Sequence, residues 1–538
     1  MSRAHKGTPH AKRVAIGRAR HARRQLSSFF GRGGYEAART DLRELTGWTP
    51  PLGSADSDSL GDIPALRARS RDAERNMPLA GGAILTQLDN VVGGGLTPAA
   101  EIDREYLDLS DEQAEAWEAA AERIFAAVTA TNRFDVSRRL NFAQMQRVAL
   151  RTVLSSGDAF GVRRSLPRPG DLLALKVQLL EADRCANPPG QWNSTTMRDG
   201  VEFDAWGAPV RYWFTSHHPF EYGLARGAVE YAAVPAFGSQ SGEPMVLHVF
   251  EQLRPEQSRG IPYLAPVLRQ LKQLDRYTDS ELAAAVIASF FTVFLKRSGA
   301  IDDGPGLEDL TDPMTQSLAS AAQDIKLGQG AIVGLEEGDD ISIADPKRPN
   351  AQFSPFVLAV TRMLGVGLGI PHELLIKHFT ASYSASRAAL IEAWRAFEAR
   401  QQWMTETFCQ PIYEWVISEA VARGLLVAPG FFEHPLIRRA YLGCTWNGPT
   451  MGQLDEAREV SAATQRVEQL FSDRTTEAAR LTGKPFSRIL AQQRKEKRQM
   501  AAAGLQPGES IAREIGQVDD PPEHVPPPPS EEEAAHAA

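Results

Sequence analysis

The chain has 538 residues, of which 43% are hydrophobic, and it carries 59 Lys and Arg against 67 Asp and Glu. This composition is typical of a globular protein with a sizeable core and room for two to four cooperative units. The formal net charge of -8 excludes a polycation that grips nucleic acid by overall charge, and also a polyacid that stays unfolded. The three cysteines, Cys185, Cys409 and Cys444, are far apart, which argues against a disulfide scaffold or a zinc cluster and suits a reducing compartment.

Both ends of the chain have a strongly biased composition. Residues 1–33 carry nine Lys and Arg and no acid, without the apolar stretch of a secretory signal, and residues 506–538 hold seven prolines and eight acids. We expect both ends to be disordered, the first as part of a basic arm over residues 1–60. Two other interpretations of the arm are an electrostatic contact with DNA or an acidic partner, and an Arg-rich transit peptide.

Two amphipathic helices are predicted between residues 110 and 157. The first begins with a capping box, Ser110 and Gln113, and its apolar face carries Trp117, Ile124, Phe125 and Val128. The second ends at Gly157, and its apolar face carries Phe142, Met145, Val148, Thr152 and Val153.

A sheet is predicted from Gly157 to about residue 250, because apolar residues there recur at every second position. One such series is Leu173, Leu175, Val177 and Leu179, which alternate with Ala174, Lys176 and Gln178. The other follows a turn at Trp206 and Gly207 and comprises Val210, Tyr212 and Phe214.

The helical period returns at Pro262 and leads through Leu264, Leu271 and Leu274 to near Lys296. This helix includes the longest apolar run, Leu282 to Leu295, which is 14 residues long, whereas a membrane span needs about 20. We therefore expect the run to be buried in protein.

Residues 298–351 are rich in Gly, Asp and Pro and predict a small protruding subdomain, with short strands at 331–334 and 341–343. A second helix is predicted from Phe353 to about Gly367, where the glycines of LGVGLGIP break it.

The clearest helix carries Leu390, Trp394, Phe397, Gln401, Met404 and Phe408 at alternating spacings of four and three, and continues past a kink at Pro411 to Gly424. A charged helical region spans residues 453–503.

The chain carries no complete catalytic motif. The segment HELLIKH, from His372 to His378, is similar to a zinc-peptidase helix, but its two histidines would point about 240° apart on a helix. The glycines at 365–369 and Gly483-Lys484 lack the remaining residues of nucleotide-binding loops, and Gln240 stands where a nucleophile elbow has Ser. We therefore expect no enzyme, no ATPase motor, no metal and no cofactor.

Four segments carry a family signature: LDNVVGGGL at 88–96, QLLEAD at 178–183, VFEQLRPEQSRGIPYLAPVL at 249–268 and YSASRAAL at 383–390. In this order they resemble the portal proteins of lambda-type tailed phages, and the resemblance covers roughly residues 60–505. The block ending in RGIPYLAPVL is its most specific part. In the fourth segment the family usually has Asn before the Tyr and paired serines, where this chain has Ser382 and Ala385.

The resemblance implies a ring, usually of twelve subunits, at one vertex of the capsid, through which double-stranded DNA is packaged and later ejected. The implied fold is α+β, with a mixed α/β wing, a helical stem, a small α/β clip, a tunnel loop, a long spine helix and a helical crown. Taken in the order of the family fold, the N-terminal half of this sequence corresponds to an arm at 1–60, the wing at 61–262 and the first stem helix at 263–297. The clip follows at 298–351, the second stem helix at 352–369 and the tunnel loop at 370–386. The spine helix and its connection occupy 387–450, the crown 451–505 and a disordered tail 506–538.

The same resemblance implies the partners of the ring. They are further copies of the chain, double-stranded DNA in transit, a large terminase ATPase, head-completion or adaptor proteins, and the major capsid and scaffold proteins, with no membrane. The implied location is the virion, and the host cytoplasm during assembly. Because fixed cations would hold phosphates and stall DNA, we expect a channel of mixed or acidic charge.

Two sets of residues are the expected sites. The DNA channel is expected at the tunnel loop, at Lys377, His378, Thr380, Ser382, Tyr383, Ser384 and Arg387. The docking surface for terminase and adaptors is expected among the clip acids Asp302, Asp303, Glu308, Asp309, Glu336, Glu337, Asp339 and Asp340. Two other hypotheses stay open: a metal-dependent hydrolase using His372, Glu373 and His378, and a monomeric scaffold protein that binds partners through the basic arm and the acidic tail.

Overall fold

The computed structural model describes residues 35–221, 229–289, 293–297, 339–343, 352–379, 382–452 and 456–502. The chain divides into two compact units after Ser57. Before this point lie two 3-10 turns, Glu36–Ala38 and Arg43–Leu45, and helix α1 (Ala55–Ser59) spans the boundary. Within the described part of the chain, no helix is long and apolar enough to cross a membrane.

The second unit opens with helices α2 (Ile63–Asn76) and α3 (Pro78–Val91), strand β1 (Thr97–Ala100), and helices α4 (Asp111–Thr129) and α5 (Phe142–Ser156). The predicted capping box of Ser110 and Gln113 is confirmed, and Asn141 with Gln144 forms a second one before α5. Gly157 ends α5 with a φ of 96°. Val148 was wrongly placed on the apolar face, because it is exposed and Ala149 and Leu150 are buried instead.

The predicted sheet region forms two antiparallel sheets. The first has the strand order β3-β2-β8 and contains β2 (Asp158–Ser165), β3 (Leu175–Glu181) and β8 (Val246–Phe250). The second has the order β4-β5-β6-β7 and contains β4 (Met197–Arg198), β5 (Val201–Phe203), β6 (Pro209–Thr215) and β7 (Tyr231–Pro235). A 3-10 turn, Ala182–Arg184, follows β3.

The first sheet is covered on both faces. One face contributes Ala159, Val177 and Val249 to the main core, which the helices also line. The other face contributes Phe160 and Leu180 to a second core, where they meet Tyr212 and Phe214 of the second sheet and other residues. Because both faces are buried, strict alternation fails here: Lys176 is buried, and its ammonium donates to the carbonyl of Leu173 and pairs with Asp171 at 3.1 Å.

The helix after Pro262 is α6 (Leu268–Ser289), and it is followed by strand β9 (Val293–Arg297), which pairs antiparallel with β10 (Asp339–Ile343). The prediction that the helix reaches Lys296 is therefore wrong, whereas the strand at 341–343 is confirmed. The strand predicted at 331–334 lies outside the described residues.

Helix α7 (Phe353–Leu368) confirms the predicted helix to within one residue, and Gly369, the third glycine of the LGVGLGIP run, ends it. Gly365 and Gly367 lie inside its last turn. A Cβ at Gly365 would lie 2.6 Å from the carbonyl oxygen of Ile370, and one at Gly367 would lie 2.6 Å from Val267. These glycines therefore allow close packing, and the helix ends at Gly369 with a φ of 63°. The short helix α8 (His372–Leu375) follows.

The long helix is confirmed as α9 (Tyr383–Met404) and α10 (Gln410–Ala422), joined by a π-helical turn, Thr405–Cys409. The irregularity thus precedes Pro411, which stands in the first turn of α10. Helix α11 (Pro435–Tyr441) leads to strand β11 (Cys444–Asn447), which pairs with β1. The C-terminal region contains α12 (Glu456–Glu468), α13 (Arg474–Thr482) and α14 (Phe486–Ala502).

Candidate functional site

Arg400 of α9 links the long helix to α3 and to the third family segment, residues 249–268. Its Nη1 donates to Oε1 of Gln87 at 2.7 Å, and its Nε donates to Oε1 of Glu251 at 2.8 Å. Its guanidinium also lies 5.0 Å from the ring centroid of Tyr263, whose hydroxyl accepts a hydrogen bond from Gln87 at 3.1 Å. The long helix, the end of α3 and the RGIPYLAPVL block are therefore held together by one hydrogen-bonded group.

A charged cluster lies fully buried beneath the RGIP segment. Nε of Arg259 donates to Oδ2 of Asp158 at 2.6 Å, and Nη2 of Arg67 donates to the other carboxylate oxygen at 3.0 Å. Arg259 also donates to the carbonyl oxygens of Ala182 and Cys185, and it pairs with Asp199 at 2.7 Å. Each hydrogen-bonding group of Arg259 therefore has a partner, as burial of a charge requires.

The cluster shifts the pKa values of its members in directions that follow from their surroundings. Burial by itself would raise the pKa of Asp158, but the guanidinium groups of Arg259 and Arg67 outweigh it and hold that pKa well below its ordinary value. His248 lies 3.2 Å from Oδ2 of Asp158, and burial lowers the pKa of its imidazole despite that carboxylate. His248 is therefore a structural residue whose buried ring interacts with Asp158.

The glycine of the RGIP segment is required by a close backbone approach. A Cβ at Gly260 would lie 2.0 Å from the carbonyl oxygen of Gly157, and a Cβ at Gly157 would lie 2.3 Å from the carbonyl oxygen of Gly260. The positive φ of Gly157 disfavours other residues as well. The most specific part of the signature therefore stabilises the fold at the junction of α5 and β2.

The QLLEAD segment brings three metal-ligating groups together, Glu181, Asp183 and His218. Nε2 of His218 lies 3.5 Å from a Glu181 oxygen and 3.8 Å from Oδ2 of Asp183, but that Asp183 oxygen also pairs with Arg71. The backbone N–H of Phe220 donates to Nδ1 of His218 at 3.1 Å, so the neutral ring carries its proton on Nε2. Nε2 therefore faces the carboxylates with its proton and not with a lone pair, and we assign no metal to this cluster.

The residues predicted for the tunnel loop are only partly in a loop. Lys377 and His378 are exposed just after α8, with a φ of 54° at Lys377. Ser382 precedes α9, whereas Tyr383 and Ser384 belong to its first turn, so the prediction that the loop runs to residue 386 is wrong. The hydroxyls of Ser382 and Ser384 are 3.3 Å apart. Thr380 lies outside the described residues.

Arg387 is not the free cation that the sequence suggested. Its Nη2 pairs with Oε1 of Glu459 in α12 at 3.0 Å. The residue lines a cleft of about 690 Å³ between α9 and the helices α12 and α13, together with Trp394, Arg458, Arg466 and others. Arg466 in turn forms two hydrogen bonds to Glu477, at 2.7 and 2.6 Å. The charges of Arg387 and Arg466 are thus balanced by acids within this region.

The predicted docking acids fall mainly outside the described residues. These are Asp302, Asp303, Glu308, Asp309, Glu336 and Glu337. Asp339 and Asp340 begin β10, where the register places them opposite Arg297 and Lys296 of β9. The structure therefore locates two of the eight acids, on a strand facing two basic residues.

The hydrolase hypothesis required His372, Glu373 and His378 to converge. Helix α8 ends at Leu375, and His378 lies beyond it. Nδ1 of His372 lies 2.9 Å from a Glu373 oxygen, but within the described ranges these three residues are not among the groups placed to share a metal ion. The described geometry does not support this hypothesis.

Sequence reasoning missed the partners of Arg259 and Arg400. Asp158, Arg67 and Gln87 lie far from them along the chain, and no local spacing links them. One signal was present: Asp158 stands between the helix-ending Gly157 and the apolar start of a strand, where an acid needs a buried cation.

Comparison with known proteins identifies the family. The family model described as phage portal protein, lambda family, matches residues 41–401. The chain belongs to this family. It is accordingly a structural component of the phage virion at the portal vertex of the capsid.

The curated relatives are portal proteins of similar length. Portal protein B of Escherichia phage lambda is 24% identical over 480 residues, which cover 86% of this chain and 89% of the relative. The portal protein of Escherichia phage N15 is 25% identical over 487 residues, with the same coverage of both chains. A probable portal protein of Halomonas phage phiHAP-1 is 24% identical and covers 71% of each chain.

Solved structures of phage-like particles are similar to the chain as well. A chain in the virion of a native gene transfer agent particle is 16% identical, with a TM-score of 0.44, and covers 79% of this chain and 94% of that chain. A chain in the neck of the native particle, computed with C12 symmetry, has the same identity and coverage and a TM-score of 0.40.

Proposed function

We propose that the portal forms a closed ring, of twelve copies, whose channel conducts double-stranded DNA into the head during packaging and out of it during ejection. The observation that carries this proposal is membership of the portal family over residues 41–401. The ring itself is a conduit and performs no catalysis.

The exposed apolar residues of α6 and α7 support assembly with further copies of the chain. Leu282 is 66% exposed, Met363 61% and Val366 85%, although the sequence predicted that the run containing Leu282 is buried. Full burial of each such side chain would contribute about 1.5–3 kcal/mol of favourable free energy to assembly. A neighbouring copy that covers these faces resolves the conflict, since a ring repeats one interface around its axis.

The order of elements supports the portal subdomains with two adjustments, the first being that the spine helix begins at Tyr383 and shortens the tunnel loop. Helix α6 serves as the first stem helix, α7 as the second, α9 and α10 as the spine, and α12 to α14 as the crown. Because β9 pairs with β10, residues 293–297 belong with the clip and not with the stem helix. The wing then comprises the helices α2 to α5 and the two sheets.

The tunnel loop contributes the exposed Lys377 and His378 to the channel, with Ser382 beside them. This short polar stretch has little net charge, which suits a wall past which DNA moves. Arg387 takes a different part, because its pair with Glu459 ties the base of the loop to the crown.

The clip acids are the proposed docking surface for the terminase ATPase during packaging and for head-completion proteins afterwards. Acids at the tip of two helices would steer a basic partner and allow its release. Reversing the charges of Glu336, Glu337, Asp339 and Asp340 should weaken terminase binding without changing the mass of the ring. Unchanged terminase affinity in this variant would place docking elsewhere.

The energy for DNA movement must come from that ATPase partner, since the chain contains no phosphate-binding loop. The capsid and scaffold proteins are the remaining proposed partners, and the portal acts with them during assembly.

Mass photometry and end-on electron micrographs of the purified protein test the proposal. A ring of twelve has a mass of about 707 kDa, twelve times 58.9 kDa, and shows a central hole. Val366→Asp should reduce the ring population, because a charge would be buried at the subunit contact. Val427→Asp, at an exposed valine after α10, is the matched control and should leave rings intact. A species of 58.9 kDa at every concentration would overturn the proposal in favour of the monomeric scaffold.

A further inference from the structure

The C-terminal helix α14 reverses the charge of the rest of the portal. Between residues 484 and 498 the chain has six Lys and Arg and one Glu, whereas the whole chain has a net charge of -8. The segment lies within the charged helical region that the family resemblance assigns to the crown. Such a local excess of cations in an acidic protein calls for a partner of opposite charge.

Arg494, Lys495, Lys497 and Arg498 of α14 are exposed and have no ion-pair partner in the described ranges. Arg488 is exposed as well, but its charge acts on Glu122 of α4, where burial raises the pKa of the carboxyl and Arg488 opposes that shift. No residue of the helix is buried, and every residue from 491 to 502 is exposed. Glu496 takes a hydrogen bond from Gln492 at 2.7 Å, so the one acid is not paired with a cation. Cations without an ion pair in the described structure are Lys484, Arg494, Lys495, Lys497 and Arg498. Arg387 and Arg466, by contrast, each form an ion pair with an acid.

Four of the five cations of α14 lie on one face of the helix, and Lys497 lies outside it. At about 100° per residue, Arg488, Arg494, Lys495 and Arg498 fall within an arc of about 120° and span about 15 Å along the axis. Arg494 and Arg498 are four residues apart and Lys495 and Arg498 three, spacings at which like charges repel. An anion lying along this face would remove that repulsion.

At the N-terminal end of α14 the opposite face is covered by the chain itself, and beyond Leu490 that face carries the polar residues Gln493 and Lys497. Phe486, Ile489 and Leu490 are partly buried, and the helix packs against α13. An amphipathic helix that inserts into a membrane needs this apolar face free. The ligand must therefore be recognised by charge alone, on the cationic side.

We propose that the cationic face of α14 binds the phosphates of double-stranded DNA, an inference that rests on the proposed function because the channel supplies that DNA. A duplex carries one charge per roughly 1.7 Å, so a stretch of about 15 Å presents enough phosphates to meet all four cations. Residues 487–502 contain no aromatic side chain on which the bases of a single strand would stack. The contact is independent of sequence, since it reaches only the backbone.

A cationic face would slow DNA in a narrow passage, so it fits a contact that holds DNA better than a part of the channel wall. The tunnel loop and α14 would then act differently on the same molecule. The first lets DNA pass, and the second retains DNA that has passed.

The test compares two full-length triple variants as assembled rings. Arg494→Gln, Lys495→Gln and Arg498→Gln together remove three cations from the face, and Gln keeps the helix propensity high. The matched control, Arg69→Gln, Arg75→Gln and Arg395→Gln, removes three exposed cations from other helices. Mass photometry of each sample reports ring assembly and so tests the proposed function separately from this inference.

Fluorescence anisotropy with a labelled duplex of about 30 base pairs, over a range of salt concentrations, measures binding. The α14 variant should bind the duplex on the order of tenfold more weakly than wild type at low salt. The negative slope of log affinity against log salt should become shallower by about 2.7, which is about 0.9 for each of the three lost phosphate contacts. The control should keep both values near those of wild type.

If both variants assemble into intact rings and lose duplex affinity equally, the inference is overturned. Equal losses would reflect the change in net charge and not the loss of a specific contact. Tighter binding of a single-stranded 30-mer than of the duplex, or wild-type binding to anionic lipid vesicles but not to the duplex, would overturn it as well. So would binding of a peptide of residues 503–538 to wild type but not to the α14 variant, with duplex binding unchanged, since the acidic tail would then be the ligand.

Discussion

Arg259 and Asp158 form a fully buried ion pair at 2.6 Å, although 101 positions separate them in the chain. Arg259 belongs to the most specific segment of the portal signature, and Asp158 begins the central strand of the first sheet. The pair therefore joins the segment before α6 to the first sheet. Breaking this pair should therefore lower the stability of the fold, because neither residue belongs to an exposed binding surface.

Arg259→Met should destabilise the portal by about 3–5 kcal/mol, because Asp158 would remain buried with only Arg67 and His248 beside it. Chemical denaturation or soluble yield measures the effect. Combining Arg259→Met with Asp158→Asn should cost less than the sum of the single variants, since no lone charge is then left behind. Additive losses would contradict the pairing.

Two adjacent glycines of α3 should respond oppositely to the same substitution. A Cβ at Gly82 would meet open space, so Gly82→Ala should stabilise the helix by about 0.5–1 kcal/mol. A Cβ at Gly81 would lie 2.9 Å from the carbonyl oxygen of Glu74 in α2, so Gly81→Ala should destabilise the protein. Thermal unfolding of both variants provides the comparison, and shifts of the same sign would contradict this packing of α2 and α3.

Portal stability should fall as the pH drops below about 6.5, because the pKa of buried His248 lies below that of an unfolded histidine. At pH values between the pKa of His248 in the folded protein and the pKa of an unfolded histidine, the unfolded chain binds more protons than the folded chain. Acidification through this range therefore favours unfolding. The groups that face His248 are Asp158 and, more distantly, Arg259 and Arg67.

His248→Gln should flatten the change in denaturation midpoint between about pH 7.5 and 5.5. His434→Gln, at an exposed histidine, is the control and should keep the wild-type profile. An unchanged profile in His248→Gln would assign the pH dependence to other groups.

Local patterns predicted the elements well where one residue determines a boundary. The capping box at Ser110, the stop at Gly157 and the long helix through Phe397 all follow from short spacings. Prediction failed where neighbours decide: Leu282 is apolar yet exposed in the single chain, and Lys176 is charged yet buried beside Asp171.

The candidate sites divide in the same way. The sequence located Lys377 on an exposed turn, but it could not reveal that Arg387 pairs with Glu459, 72 positions away. The family signature includes Arg259 but does not reveal that this residue forms a buried ion pair. An ion pair between distant segments leaves no periodic pattern in the sequence.

Deletion of Lys377–Ser384 should leave ring assembly intact while DNA packaging or retention is impaired, because Lys377, His378 and Ser382 are exposed and we propose that they line the channel. Lys377→Gln tests the charge alone and should give a smaller defect than the deletion. Arg387→Gln is the informative comparison, since loss of the pair with Glu459 should loosen the C-terminal helices and lower their protection in hydrogen exchange, whereas Lys377→Gln should not. Packaging assays and ring mass separate the two effects. A deletion that abolishes folding would show that residues 377–384 belong to the core and that the channel contact lies elsewhere.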